Sequence, residues 1–175
     1  MEHSISDRNN RVATLAMYIA MAVVLHWMES FIPRPAPFIR LGLANIFTLC
    51  AIYLFGGWWG LVLVLSRVLI ASLISGSILT PGFILSITGG TVAGIVMWLM
   101  PKKWFSLVGV SVAGAVSHIS TQLIVASYLI VKHTTLLNLI PLFILISILT
   151  GILNGYLAGL VLSVSGSYND VQKFR

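Results

Sequence analysis

The chain has 175 residues, of which 58% are apolar and 8% are charged, and its mean hydropathy is +1.03. Soluble domains carry about 25% charged residues, so this chain lacks the polar side chains needed to cover a water-facing surface. Its net charge of +6 is scattered along the chain rather than clustered, which argues against a nucleic-acid-binding protein. The composition indicates an all-α integral membrane protein.

Six apolar segments follow one another along the chain and are predicted to form a six-helix transmembrane bundle, since each span needs ~20 residues. Their approximate bounds are residues 12–31, 41–55, 60–74, 83–99, 105–131 and 139–162. We expect one transmembrane domain, residues 12–164, between a cytoplasmic N-terminal segment, residues 1–11, and a cytoplasmic tail, residues 165–175. The first apolar segment is long, so a cleaved signal peptide is not expected.

Span one carries a pair of small residues and, near its far end, two titratable residues. Ala16 and Ala20 lie four residues apart on one helix face, and such pairs let a second helix approach closely. The pair fits packing within the chain as well as packing against a partner. His26 and Glu29 lie near the end of the span, and Glu29 is the only acid within the apolar segments. The proline-rich loop that follows, residues 32–39, is expected to be a rigid cap.

Spans two and three are joined by a Gly-Gly-Trp-Trp turn, whose tryptophans fit a membrane interface. Span two is short; it follows Arg40 and carries Asn45 one turn in. Arg67 lies in the middle of span three, where a charge costs ~2.5–3.5 kcal/mol on insertion scales. We therefore expect Arg67 either to contact a ligand or to be held by backbone carbonyls or by Glu29.

Small and polar residues recur at four-residue spacing in spans four to six, which places each set on one helix face. The sets are Ser86, Gly90 and Gly94 in span four, Gly114, His118 and Gln122 in span five, and Gly151, Gly155 and Gly159 in span six. Gln122 and Asn154 fit interhelical hydrogen bonding, and His118 fits either that role or a ligand contact. We expect Asn154 to lie deeper, toward the cytoplasm, and outside the cavity of the others.

Lysine and arginine residues outside the spans predict the orientation. Six would lie on the side of the termini: Arg8, Arg11, Lys102, Lys103, Lys173 and Arg175. Three would lie on the opposite side: Arg34, Arg40 and Lys132. Both termini are therefore predicted to be cytoplasmic, with loops one, three and five facing outward.

With that topology, polar residues from the middle and outer parts of the bundle can converge on one cavity. The candidate substrate-binding residues are Glu29, Arg40, Asn45, Arg67, Ser86, His118 and Gln122. Their charges are mostly positive, which favours an anionic or polar ligand, with Glu29 as a counter-charge or as a contact to a ligand cation. Each residue alone has a purely structural alternative, but a cluster of polar residues inside membrane spans indicates a cavity.

Three stretches carry a resemblance to a known family: LGLANIFTLCAIYLFG, SRVLIASLISGSILTPGFILSITGG and VSVAGAVSHISTQLIVA. They resemble the Gx transporter family, which is often labelled heptaprenyl diphosphate synthase component I. The likeness covers nearly the whole chain. The chain also resembles the S components of energy-coupling factor transporters. The features that carry this resemblance are the six short spans, the pair of Ala16 and Ala20, the proline-rich first loop and the glycines of the later spans.

The resemblance implies a substrate-binding subunit in the inner (plasma) membrane of a prokaryote. An S component captures a scarce small molecule from outside and docks through its first helix onto a transmembrane coupling protein, which two cytosolic ATPases drive. Carried over by position, Ala16 and Ala20 would form the docking face, residues 32–39 a lid, and residues 75–82 its counterpart. A vitamin-like or an isoprenoid- or quinone-precursor-like ligand is expected, with membrane lipid around the bundle and no nucleic acid.

The residues argue against catalysis by this chain. Prenyl diphosphate synthases hold magnesium with several carboxylates, whereas the aspartates here are Asp7 and Asp170, one in each polar terminus. The sequence has no GxxxxGK[ST] loop for ATP hydrolysis and no Ser-His-Asp or Cys-His pairing for nucleophilic attack. The single cysteine, Cys50, lies in an apolar span, so neither a disulfide nor a zinc site is expected. We expect no catalytic residue, metal or cofactor.

Two other functions fit the same residues. A small proton-coupled secondary transporter could use Glu29 and His118 as a proton relay, although the chain lacks the inverted repeat common in such carriers. A non-transporting scaffold subunit of a membrane complex would need only the packing faces of the helices.

Overall fold

A computed structural model describes residues 2–31 and 42–164 of the chain. Within these ranges the chain forms six α-helices and no strand, which confirms the predicted all-α fold. The helices are α1 (Glu2–Met28), α2 (Asn45–Phe55), α3 (Gly57–Ile74), α4 (Pro81–Leu99), α5 (Leu107–Val125) and α6 (Ile140–Val164). Shorter segments complete the fold: 3-10 helices at Glu29–Phe31 and Thr134–Leu139, and a π-helical segment at Ala126–Val131. Arg34, Arg40, the loop of residues 32–39 and the tail of residues 165–175 lie outside the described residues.

Five segments of the described chain are long and apolar enough to cross a membrane, which supports a membrane-embedded bundle. They are Asn10–Met28, Gly57–Ile74, Pro81–Leu99, Leu107–Val131 and Thr134–Val164. The sixth helix, α2, has 11 residues. At ~1.5 Å per residue it is about 16 Å long, about half of the ~30 Å hydrocarbon core. A count of six membrane spans therefore stays a prediction.

The short helix α2 lies in the centre of the bundle. It packs against α1, α3, α4, α5 and α6, and none of its residues is classed as exposed. Leu49, Cys50, Ala51 and Ile52 are fully buried. A helix that is apolar on all sides is stable when protein surrounds it. Because α2 has 11 residues and its neighbour α3 has 18, the N-terminal end of α2 lies about 10 Å inside the bundle.

Contacts among the turns place several of them at one end of the molecule. The Arg11 region of α1 faces Leu54, Phe55 and Trp59 across a groove of about 250 Å³. Lys102, in the α4–α5 turn, donates a 3.1 Å hydrogen bond from Nζ to the Ile52 carbonyl near the end of α2. These contacts bring the Arg11 region of α1, the α2–α3 turn and the α4–α5 turn to one end of the described bundle. Which side of the membrane this end faces stays a prediction.

Lys102 binds the C-terminal end of the central helix. Its Nζ lies 4.5 Å from the centre of the Tyr53 ring as well as 3.1 Å from the Ile52 oxygen. The last carbonyls of a helix have no partner within it, and a cation there also interacts favourably with the helix dipole. Burial lowers the pKa of the Lys102 amine, because it disfavours the charged form. The hydrogen bond to the Ile52 carbonyl favours the charged form.

Gly151 and Gly155 of α6 allow α6 to pack closely against α5. A Cβ on Gly151 would lie 2.7 Å from the Val112 Cα, and a Cβ on Gly155 would lie 2.7 Å from the Val108 Cα. Side chains at these positions would push α6 away from α5. Small residues at helix interfaces are the usual means of close association in membranes.

Candidate functional site

The candidate site is built around Gly42, at the turn that leads into α2. The Asn45 amide donates to the Gly42 carbonyl over 3.0 Å and the Ile46 amide donates to the Leu43 carbonyl over 3.1 Å. Gly42 has φ +79°, a conformation that favours glycine. A Cβ at this position would lie 3.0 Å from Asn45 Nδ2 and 3.1 Å from His118 Cδ2. The absence of a side chain on Gly42 therefore lets α2 and α5 approach each other here.

Glu29 binds the N-terminal end of α2 from across the chain. Its Oε1 accepts hydrogen bonds from the Gly42 amide at 2.5 Å and the Leu43 amide at 3.3 Å, and the residue is 2% exposed. The N-cap residue of α2, Ala44, has no side chain that could cap the helix. A carboxylate at a helix N-terminus satisfies unpaired amides and interacts favourably with the helix dipole. Glu29 thus supplies the negative charge that Ala44 cannot.

Arg67 on α3 contacts Asn45 on α2. Its Nη2 donates a 2.5 Å hydrogen bond to Asn45 Oδ1, and Arg67 is 1% exposed. Because a guanidinium group can only donate, the atom that faces it must be the amide oxygen of Asn45. The amide nitrogen of Asn45 therefore faces the opposite way, toward Gly42. A Cβ on Gly90 of α4 would lie 3.6 Å from Arg67 Nη2, so α4 borders the guanidinium as well.

His118 and Gln122 form a hydrogen-bonded pair on one face of α5. The Gln122 Nε2 and His118 Nε2 atoms are 2.7 Å apart, and both residues are buried. The two residues are four positions apart, so this hydrogen bond holds both side chains on one face of α5. A Cβ on Gly89 of α4 would lie 3.2 Å from His118 Nδ1 and 3.0 Å from the Gln122 Cγ.

Asn154 on α6 belongs to the same cluster, so the expectation that it lies apart from the other polar residues is wrong. Its Nδ2 donates a 3.2 Å hydrogen bond to the Gly42 carbonyl, and the residue is 1% exposed. The expectation placed the beginning of α2 near the outer surface. Since α2 is short and begins inside the bundle, its first residues reach the depth of Asn154.

The structure brings together five of the seven candidate binding residues around Gly42: Glu29, Asn45, Arg67, His118 and Gln122. Ser86 is buried in α4, and its hydroxyl donates to the Gly82 carbonyl of its own helix at 2.7 Å. Arg40 lies outside the described residues. Whether any of the seven binds a ligand stays a prediction.

Sequence reasoning missed Gly42, Gly89 and the role of Asn154. A glycine before an uncapped helix start, at Gly42, and the adjacent pair Gly89 and Gly90 were the available signals. Ala16 and Ala20 are both exposed on α1, so within the described residues they are not used for internal packing.

A family model described as heptaprenyl diphosphate synthase component I matches residues 18–161, a range that includes every described residue of the polar cluster. Neither the curated proteins nor the solved structures contain a match to the chain. Because the family model covers well over half of the sequence, the chain belongs to the heptaprenyl diphosphate synthase component I family.

Proposed function

We propose that this protein is the substrate-binding membrane subunit, or S component, of an energy-coupling factor type importer. It captures a small vitamin-like or isoprenoid- or quinone-precursor-like molecule from outside, and partner subunits drive uptake with ATP. The observation that carries the proposal is the buried polar cluster, defined here as Glu29, Gly42, Asn45, Arg67, His118, Gln122 and Asn154, inside an otherwise apolar bundle.

The cluster supports binding because buried polar groups in a membrane protein are costly and commonly mark a substrate path. Its members come from the 3-10 helix after α1, the turn before α2, the first residue of α2, and α3, α5 and α6, with α4 alongside. A ligand bound there would contact every helix of the bundle. A polar group of the ligand would meet the cluster, and an apolar body would pack against the surrounding helices.

The family label names a synthase component, but the acidic residues of this chain do not support diphosphate chemistry. The full sequence has four Asp and Glu residues in all. A hard cation that bridges a diphosphate needs several carboxylates at one place. Among the described residues there is no group of three or more His, Cys, Asp or Glu side chains that could hold a metal ion. We therefore favour ligand binding over catalysis.

Native mass spectrometry of the protein purified from prokaryotic membranes tests the proposal. We expect a co-purified small molecule on the wild-type protein and about tenfold weaker retention in His118→Ala, since a buried hydrogen bond contributes about 1.4 kcal/mol. Ser72→Ala is the matched control, because Ser72 is buried and its hydroxyl has no hydrogen-bond partner in the described part of the chain. Protein that carries no ligand from any expression host would overturn the binding function. Uptake that persists in cells without a coupling module would overturn the subunit role.

A proton-coupled secondary transporter is the second candidate, and the position of two titratable residues favours it. Glu29 accepts a hydrogen bond from the Gly42 amide, and His118 also borders Gly42, with its Cδ2 3.1 Å from the position that a Cβ would take. Uptake by the purified protein alone in proteoliposomes, driven by a pH gradient, would support this candidate. If Arg67→Ala and His118→Ala both retain ligand while Ala16→Leu disrupts a complex, a scaffold role is favoured instead.

A further inference from the structure

The N-terminal end of α2 already holds a carboxylate. Glu29 Oε1 receives the Gly42 and Leu43 amide hydrogens at 2.5 and 3.3 Å, at the start of an 11-residue helix whose dipole favours negative charge. Glu29 reaches this place from a short 3-10 helix, Glu29–Phe31, 13 residues earlier in the chain. The carboxylate of Glu29 is therefore a side-chain occupant of an anion-binding helix end, brought there from a different element.

A second, independent feature points into the same place. Asn45 is 5% exposed, and its Nδ2 has no hydrogen-bond acceptor within the described part of the chain. Arg67 fixes the amide orientation by binding Oδ1, so Nδ2 faces Gly42 and cannot turn away without losing that bond. A buried amide donor that lacks an acceptor is destabilising, because it has lost its hydrogen bonds to water and gained none in return. A ligand oxygen that reaches Gly42 would satisfy this donor.

We propose that the N-terminal end of α2 is the receptor for a carboxylate group of the transported small molecule, and that Glu29 occupies this receptor when the ligand is not bound. The inference rests on the proposed binding function and adds the chemical class of the ligand. Glu29 and the ligand carboxylate exclude each other because they need the same two amides, Gly42 and Leu43. Arg67 compensates the negative charge of either occupant from behind Asn45.

Replacement of Glu29 by a ligand carboxylate is feasible because of the element that carries Glu29. The 3-10 helix that carries it has poorer hydrogen-bond geometry than an α-helix, so this turn rearranges more readily than a turn of α1 would. The ligand supplies what Glu29 supplies, a carboxylate, together with an apolar body that gains contacts with the bundle. If Glu29 competes with the ligand, a substitution that weakens its binding to the two amides should strengthen ligand binding. If Glu29 only caps α2, the same substitution should weaken ligand binding.

Chemical rescue tests the receptor directly. Glu29→Ala removes a group equivalent to acetate, so we expect acetate to raise the Tm of purified Glu29→Ala protein in a saturable way, and acetamide at the same concentration to leave it unchanged. The wild-type protein is the control and should not respond, because Glu29 fills the receptor. Equal effects of acetate and acetamide, an equal response of the wild type, or equal stabilisation by sulfate would overturn the proposal.

A second variant covers the case in which Glu29→Ala does not fold, and it separates this inference from the proposed function. Glu29→Gln keeps the shape and one acceptor oxygen but removes the charge that competes with a ligand carboxylate. We expect Glu29→Gln protein to retain the co-purified molecule at least as strongly as wild type through repeated washing, and that molecule to be a carboxylic acid. A neutral molecule, or weaker retention by Glu29→Gln, would overturn the carboxylate receptor and leave the binding function standing. A wild-type protein that carries no molecule while acetate still rescues Glu29→Ala would overturn the binding function instead.

Discussion

Gly42 is the residue on which the polar cluster depends most directly, because residues of three other elements contact it. Its amide binds Glu29, its carbonyl binds Asn154, and His118 packs where a side chain would begin. We predict that Gly42→Ala lowers the free energy of unfolding by more than the ~1–2 kcal/mol that a left-handed backbone costs an ordinary residue. The added loss comes from displacing Asn45 and His118. Thermal unfolding in detergent, together with ligand retention, measures both effects.

Gly76 offers a matched control for that substitution. It also has a positive φ, +63°, but a Cβ there would meet no atom within 4 Å. Gly76→Ala should therefore cost only the backbone strain. Equal losses of stability in Gly42→Ala and Gly76→Ala would show that the close contacts around Gly42 contribute nothing.

The sequence indicates which polar residues belong to the cluster, but it does not indicate how deep in the bundle each of them lies. Asn45 and Arg67 each lie 11 positions from Gly56 in the sequence, so a tight α2–α3 hairpin places them side by side. That spacing was available from the sequence alone. Asn154 was misplaced because its depth depends on how far α2 reaches into the bundle, and that length is set by burial against five other helices.

At the scale of single elements, α2 shows why hydropathy alone does not define a membrane span. Its sequence is as apolar as the spans around it, and the short length was visible from Arg40 and the Gly-Gly turn. Hydropathy does not distinguish a helix buried in protein from one that faces lipid. Most residues of α2 are buried, and its uncapped N-terminal end needs partners inside the bundle, which Glu29 provides.

The opposite end of α2 depends on Lys102, and this leads to a prediction about the element. Lys102→Met removes the hydrogen bond to the Ile52 carbonyl and the contact with the Tyr53 ring, and we expect a loss of about 1 kcal/mol in the free energy of unfolding. Lys103→Met is the control, because Lys103 is exposed in the same turn and should change stability by less than about 0.5 kcal/mol. Denaturation of the two variants under the same conditions measures the difference in their free energies of unfolding. Indistinguishable midpoints would mean that Lys102 does not hold the end of α2.

At the scale of the whole molecule, the bundle encloses a small polar cluster within an apolar core and presents an apolar exterior. The charged and amide side chains of the cluster are buried, while large apolar residues are exposed along the helices, as on Leu145 and Leu149 of α6. Such a surface suits lipid. The same exterior carries the small-residue face of Ala16 and Ala20, which the described residues leave uncovered. Ligand binding inside and partner docking outside would therefore use different residues and can be tested separately.

We predict that replacing Ala16 and Ala20 together by Leu abolishes co-purification with a transmembrane coupling protein and with it ATP-driven uptake, because the larger side chains prevent close helix approach. Retention of the ligand should be unchanged, since neither residue touches the polar cluster. The control is Leu149→Trp, which also enlarges an exposed apolar side chain, but on α6, where Leu149 is 63% exposed. A lipid-facing change should have no effect on assembly. If both proteins lose the partner, α1 has no special role in docking. If neither loses it, the coupling protein binds elsewhere on the bundle.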